Sequence, residues 1–125
     1  MADLFEETTI MFADLAGFTA WSSKRSPTQV FELLECIYSS FDAIALRRGV
    51  FKVETIGDCY VAVTGIPEPQ ADHTIIMARF ARDCMMKISQ LASELGETLG
   101  ADTMDLEMRI GLHSGPTTAV VLRGQ

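Results

Sequence analysis

Basic residues are in deficit in this 125-residue chain: 10 Lys and Arg stand against 17 Asp and Glu, a formal charge of -7. Such a surface repels nucleic-acid backbones at long range, which removes basic-patch RNA and DNA binders from the candidate functions. Cysteine is scarce as well. Cys36, Cys59 and Cys84 are odd in number and widely spaced, which argues against a disulfide framework and a zinc knuckle and leaves Cys36 and Cys84 as reduced core filler. No apolar run is long and unbroken enough to cross a bilayer. Residues 1–7 lack the basic start and apolar stretch of a secretory signal, so the segment reads as cytoplasmic, with no membrane contact of its own. Internal repeats and low-complexity stretches are also missing.

What is present suits one globular domain with its own core, at 48% apolar and 22% charged residues. Residues 8–13 are β-prone and almost wholly apolar, the pattern of a central strand buried on both faces. Ser26-Pro27-Thr28-Gln29 then reads as a helix start: Ser26 caps, Pro27 suits the first helical position and Gln29 completes a capping box. Val30, Leu33, Leu34, Ile37, Phe41 and Ile44 keep helical spacing until Gly49. Residues 51–56 and 60–64 form a hairpin around Gly57-Asp58. A second amphipathic helix spans about 72–95, with Gly96 and Gly100 framing its exit and Met85 and Met86 as packing residues. Leu106, Met108, Ile110 and Leu112 alternate with polar or small residues as a half-buried strand. A turn at Gly115-Pro116 is expected to precede a fifth strand over 117–122. The order matches an α+β, ferredoxin-like βαββαβ sandwich with the start of a fifth strand, and residues 1–7 form an N-terminal extension to it.

In that topology the first strand runs antiparallel to the third, with the fourth on its other side, so Asp14, Asp58 and Arg109 should meet at one sheet edge. Two carboxylates there suit one or two Mg²⁺ or Mn²⁺ ions, hard cations that share oxygen ligands with substrate phosphates, and the Leu15 carbonyl can add a ligand. The turn Ala16-Gly17-Phe18-Thr19 opens a short helix whose amides can face a triphosphate, and Arg109 can grip phosphate oxygens. Taken singly, each carboxylate has an ordinary explanation. Asp after a strand is usually a turn or cap residue, and Gly-Asp is a common hairpin tip. His73 and His113 have no evident charged partner and read as structural.

Taken together, the stretches resemble a known family. Phe12-Ala13-Asp14-Leu15-Ala16-Gly17-Phe18-Thr19, Lys52-Val53-Glu54-Thr55-Ile56-Gly57-Asp58-Cys59-Tyr60 and Arg109-Ile110-Gly111-Leu112-His113-Ser114-Gly115-Pro116 resemble, in order, three blocks of class III nucleotide cyclase catalytic domains, closest to the guanylate cyclase branch. The resemblance covers residues 8–125 as a partial catalytic domain. It implies that Asp14, Asp58 and the Leu15 carbonyl bind two Mg²⁺ or Mn²⁺ ions, that Ala16, Gly17, Phe18 and Thr19 hold the triphosphate, and that Arg109 supports it. It also singles out Glu54 as the purine-selecting residue, since a carboxylate accepts the N1 and N2 hydrogens of guanine side by side. Otherwise Glu54 would pass for a solvated strand residue. A homodimer or paired cyclase domain is implied too, because the family builds its site between two chains.

The family pattern continues past Gln125 with an Asn and an Arg that stabilise the transition state, so the chain as given is expected to be nearly inactive alone. Val120 stands where the family usually has Gly. The leading reading is a guanylate cyclase domain making cyclic GMP and pyrophosphate from GTP. An adenylate cyclase acting on ATP and a non-catalytic nucleotide-binding or dimerisation module are the alternatives. An RNA-recognition domain of similar topology would want a basic sheet with exposed aromatics.

Overall fold

From Met11 to Leu15 in β1 (Ala2–Ala16) the side chains sort by parity, whereas the neighbours Thr8 and Thr9 are both buried. Met11, Ala13 and Leu15 are at most 2% exposed, whereas Phe12 between them is 49% exposed. Beyond Thr9 the strand is therefore buried on one face only, not on both as its apolar run suggests. The computed structural model describes residues 2–56 and 58–120. After β1 come α1 (Phe18–Ser22), α2 (Pro27–Arg48), β2 (Phe51–Ile56), β3 (Cys59–Thr64), α3 (His73–Leu99), a 3-10 turn over Ala101–Asp105 and β4 (Glu107–Val120). The sheet has the order β2-β3-β1-β4 with every neighbour antiparallel, the expected βαββαβ arrangement with α1 added.

Local chemistry sets the helix ends. Ser26 accepts from the Gln29 amide at 3.3 Å, Gln29 accepts from the Ser26 amide at 3.1 Å, and α2 stops at Gly49, all as expected. The second long helix differs from expectation. α3 passes through Gly96 and ends at Gly100, and a Cβ at Gly96 would stand 2.9 Å from Met104 Cγ. Glycine there permits close approach of the 3-10 turn, so it does not end the helix.

Both long helices pack on the same face of the sheet. Leu33, Ile37 and Phe41 from α2 and Phe80, Cys84 and Ile88 from α3 join Met11, Ala13, Tyr60 and Ala62 in one core. Phe41 meets Tyr60 edge-on with ring centroids 5.4 Å apart. A large apolar side chain buried this way contributes about 1.5–3 kcal/mol. Cys84 fills the core as expected, its thiol pushed up to about 12 by burial, and Cys36 is half-buried. Met85 and Met86 are 44% and 66% exposed, so they do not pack as anticipated. The opposite face of the sheet is uncovered.

Two strand boundaries also depart from the sequence reading. β1 begins at Ala2, ahead of Thr8, because residues 2–5 pair with residues 117–120 of β4. β4 does not turn at Gly115-Pro116, and no fifth strand exists among the described residues. The register shifts between Phe5 and Thr8, which sets Pro116, on the edge strand β4, opposite a bulge in β1, a place where a sheet tolerates proline. Val120 closes β4 opposite Ala2. Gly57, expected at the hairpin tip, and residues 121–125, the first two of which would end the expected fifth strand, lie outside the described residues. No helix of the described residues is long and apolar enough to cross a membrane.

Candidate active site

Asp14 lies two residues before the end of β1, and its neighbours follow from register. Ala13 pairs with Tyr60 across β3 and Asp14 pairs with Arg109 across β4, so Asp14 shares the uncovered face with Cys59 and Arg109. Arg109 reaches both carboxylate oxygens: Nε donates to Oδ1 at 2.9 Å and Nη2 to Oδ2 at 3.2 Å. This hydrogen bond, then the charge of Asp14, holds the Arg109 guanidinium above its ordinary pKa. Asp58 follows the hairpin tip, half-buried, with its backbone carbonyl accepting from Tyr38 Oη.

The electrostatics tie the two carboxylates together. Burial first, then Asp14 and Asp58, push the Cys59 thiol up, and the Tyr38 phenol rises through burial and the charge of Asp58. Asp58 also acts on Arg109. Phe12, Asp14, Cys59, Arg109 and Gly111 line a cleft of about 270 Å³. Asp14 and Arg109 therefore meet as expected, with the difference that Arg109 grips Asp14 itself, whereas Asp58 is not in the cleft lining and acts on Arg109 through its charge.

The turn after β1 has the anticipated shape. Leu15 is buried, Ala16 ends the strand, and Gly17 takes φ +84°, a left-handed conformation that favours glycine, as the N-cap of α1. Phe18 stacks on Trp21 with centroids 6.3 Å apart, and Thr19 is exposed. Glu54 is exposed on β2 opposite Val61, which pairs on its other side with Phe12. Glu54 thus sits on the same uncovered face, on the far side of β3 from Asp14. His113 is exposed, whereas His73 Nδ1 lies 2.7 Å from Thr9 Oγ1, which lies 2.8 Å from Ser114 Oγ. His73 is tied into the fold away from the cleft, as its structural reading requires.

Sequence reasoning missed what anchors α1. Arg25 forks onto Asp102, donates to the Leu99 carbonyl at 2.6 and 3.1 Å, and lies 4.4 Å from the Trp21 ring centroid. Trp21 Nε1 donates to Thr103 Oγ1 at 2.9 Å. Partners this distant in sequence leave no local signal.

A divalent cation is the natural test of the donor set. Asp14 offers carboxylate oxygens in an open cleft, already drawing a cation in the form of Arg109, and Asp58 acts on the same guanidinium through its charge. Among the described residues no group of three or more His, Cys, Asp or Glu forms a metal cluster. Two carboxylates and a carbonyl fit a hard cation that takes its remaining ligands from water or phosphate, and do not fit zinc.

Comparison with known proteins gives the family of the chain. Residues 1–125 match the family described as the adenylate and guanylate cyclase catalytic domain. The chain belongs to that family. It is 38% identical over 123 residues to a membrane guanylyl cyclase of Dictyostelium discoideum and 34% identical over 122 residues to an adenylate cyclase of Mycobacterium bovis. Each match covers 98% of this chain, but only 8% and 26% of those proteins. The solved guanylate cyclase domain of a Catenaria anguillulae protein, in complex with GTP, superposes with a TM-score of 0.81 at 40% identity, covering 96% of this chain and 62% of that one. The chain is thus a class III cyclase catalytic segment spanning a minor part of its curated relatives.

Proposed function

We propose that this cyclase domain converts GTP to cyclic GMP and pyrophosphate. The observation that carries the reading is Asp14 near the end of β1, opposite Arg109 on which Asp58 also acts, with a carboxylate at Glu54 on the same face. Two Mg²⁺ or Mn²⁺ ions held by Asp14, Asp58 and the Leu15 carbonyl would lower the pKa of the ribose 3′-hydroxyl and offset charge on the phosphates. Ala16, Gly17, Phe18 and Thr19 supply the turn that orients the triphosphate, and Arg109 binds its oxygens. Glu54 accepts two hydrogen bonds from guanine. The 3′ oxygen bonds to the α-phosphorus in line with the leaving group. The bond from that phosphorus to the bridging oxygen breaks, pyrophosphate departs and the hydroxyl proton passes to solvent.

The uncovered face exposes Phe12, Phe51 and Val53. A second copy or paired cyclase domain docked there would bring its own purine-selecting residue toward this Asp14, which is the family arrangement.

An adenylate cyclase is the second reading, favoured by the mycobacterial relative. The test is product formation from GTP and from ATP with Mn²⁺, using the protein extended through the strands that follow in the family, with Asp58→Asn as control. Cyclic GMP that vanishes in the control supports the proposal. Cyclic AMP keeps the chemistry and overturns the role of Glu54. A folded dimer making neither product is a regulatory nucleotide-binding module.

A further inference from the structure

The geometry points to Arg109 as a latch on the metal site: its guanidinium occupies Asp14 until a divalent cation displaces it, and only then is it free to bind a phosphate. This rests on the reading of Asp14 as a metal ligand. The fork uses both carboxylate oxygens, at 2.9 and 3.2 Å, and among the described residues the guanidinium bonds to nothing else. Cation ligation draws on the same oxygen lone pairs, and a planar fork across both oxygens obstructs the approach to them. The two partners are also built to separate. Their side chains are 69% and 39% exposed, so the pair is solvated and worth little, and its exchange for a divalent ion costs the fold nothing in packing.

Release has a direction. Arg109 and Gly111 line the same cleft as Asp14, so a guanidinium leaving the carboxylate remains beside the space a polyphosphate would enter. Metal binding and phosphate binding become coupled through one side chain, and each strengthens the other. In the absence of metal the latch closes twice over: Asp14 is neutralised and Arg109 is unavailable to anions.

Two binding measurements on the purified protein, neither of which reads turnover, test the latch. The first titrates Mn²⁺ without nucleotide, following the electron paramagnetic resonance of the free ion. Arg109→Gln should bind Mn²⁺ about two- to fivefold more tightly than the parent, the worth of an exposed ion pair. Arg109→Lys, which keeps the charge without the fork, should fall between them. The second titrates inorganic tripolyphosphate in EDTA. Asp14→Asn should bind it about two- to fivefold more tightly, whereas Asp58→Asn, which removes the same charge and no fork, should gain less. Unchanged or weaker Mn²⁺ binding by Arg109→Gln overturns the latch, as does an equal gain from both aspartate variants. If Mn²⁺ affinity is indifferent to Asp14→Asn, the metal reading fails instead, and the tripolyphosphate comparison still decides whether the fork withholds Arg109.

Discussion

Two arginine forks in this molecule share a chemistry and differ in setting. In the fork of Arg25 with Asp102 the arginine is covered: its side chain is 8% exposed, lies over Trp21 and also serves the last carbonyl of α3, while Asp102, 41% exposed, is as open as Asp14. Arg109 with Asp14 is open, with the arginine 69% exposed and no second partner among the described residues. The covered fork ties α1, α3 and the 3-10 turn into one unit, so breaking it strands several buried groups at once. The open fork ties two adjacent strands that their backbone ladder already joins. Identical functional groups therefore build a fixed support in one place and an exchangeable contact in the other, and the surroundings decide which.

The largest effect that tests this contrast is expected at the covered fork's base. Trp21 is 3% exposed, and Trp21→Ala should cost about 3–5 kcal/mol in urea unfolding; a loss under about 1 kcal/mol would show that the fork, not the ring, carries the support. Next, Asp14→Asn should lower cyclase turnover of the extended protein about 100-fold while leaving the thermal midpoint where it was. A matching fall in stability would make Asp14 a structural residue and erase the contrast. A third comparison is direct: Arg25→Ala should lower the thermal midpoint clearly more than Arg109→Ala does, and equal shifts would refute the assignment of roles.

The smallest effect is a pH dependence. The hydrogen bond from Arg25 holds the Asp102 carboxyl below its ordinary value of 3.8. A depressed carboxylate adds stability that is fully present above the unfolded value and is lost as pH falls through the folded one. Asp102→Asn should accordingly be less stable than the parent at neutral pH, with the gap closing only below about pH 4. A gap that persists undiminished at pH 2 would mean that the side-chain shape, not the charge, matters there.

How much of this could be read in the sequence follows the distance over which each feature is encoded. The capping box of α2 lies within four consecutive residues, from Ser26 to Gln29, and reads correctly. The meeting of Asp14 with the hairpin and with Arg109 was also legible, because a βαββαβ chain has few ways to form one antiparallel sheet. The run 8–13 misled, since apolar composition alone does not reveal that both helices choose one face. Gly96 and Gly115-Pro116 read as breaks because glycine and proline usually punctuate structure. Met104 packed on the first, and a bulge opposite the second, reversed those expectations.

The sequence by itself determined the element order, the acidic character of the chain and the three motif blocks that mark its family, all of which depend on residues near one another along the chain. Tertiary structure alone decided which face of the sheet is open, that Arg109 is held by Asp14, and that Arg25 is locked against Trp21 and Asp102. The two ion pairs among those contacts join residues 95 and 77 positions apart. Their existence depends on strand register and helix placement, which are settled by burying one shared core, and no short stretch of chain carries that information.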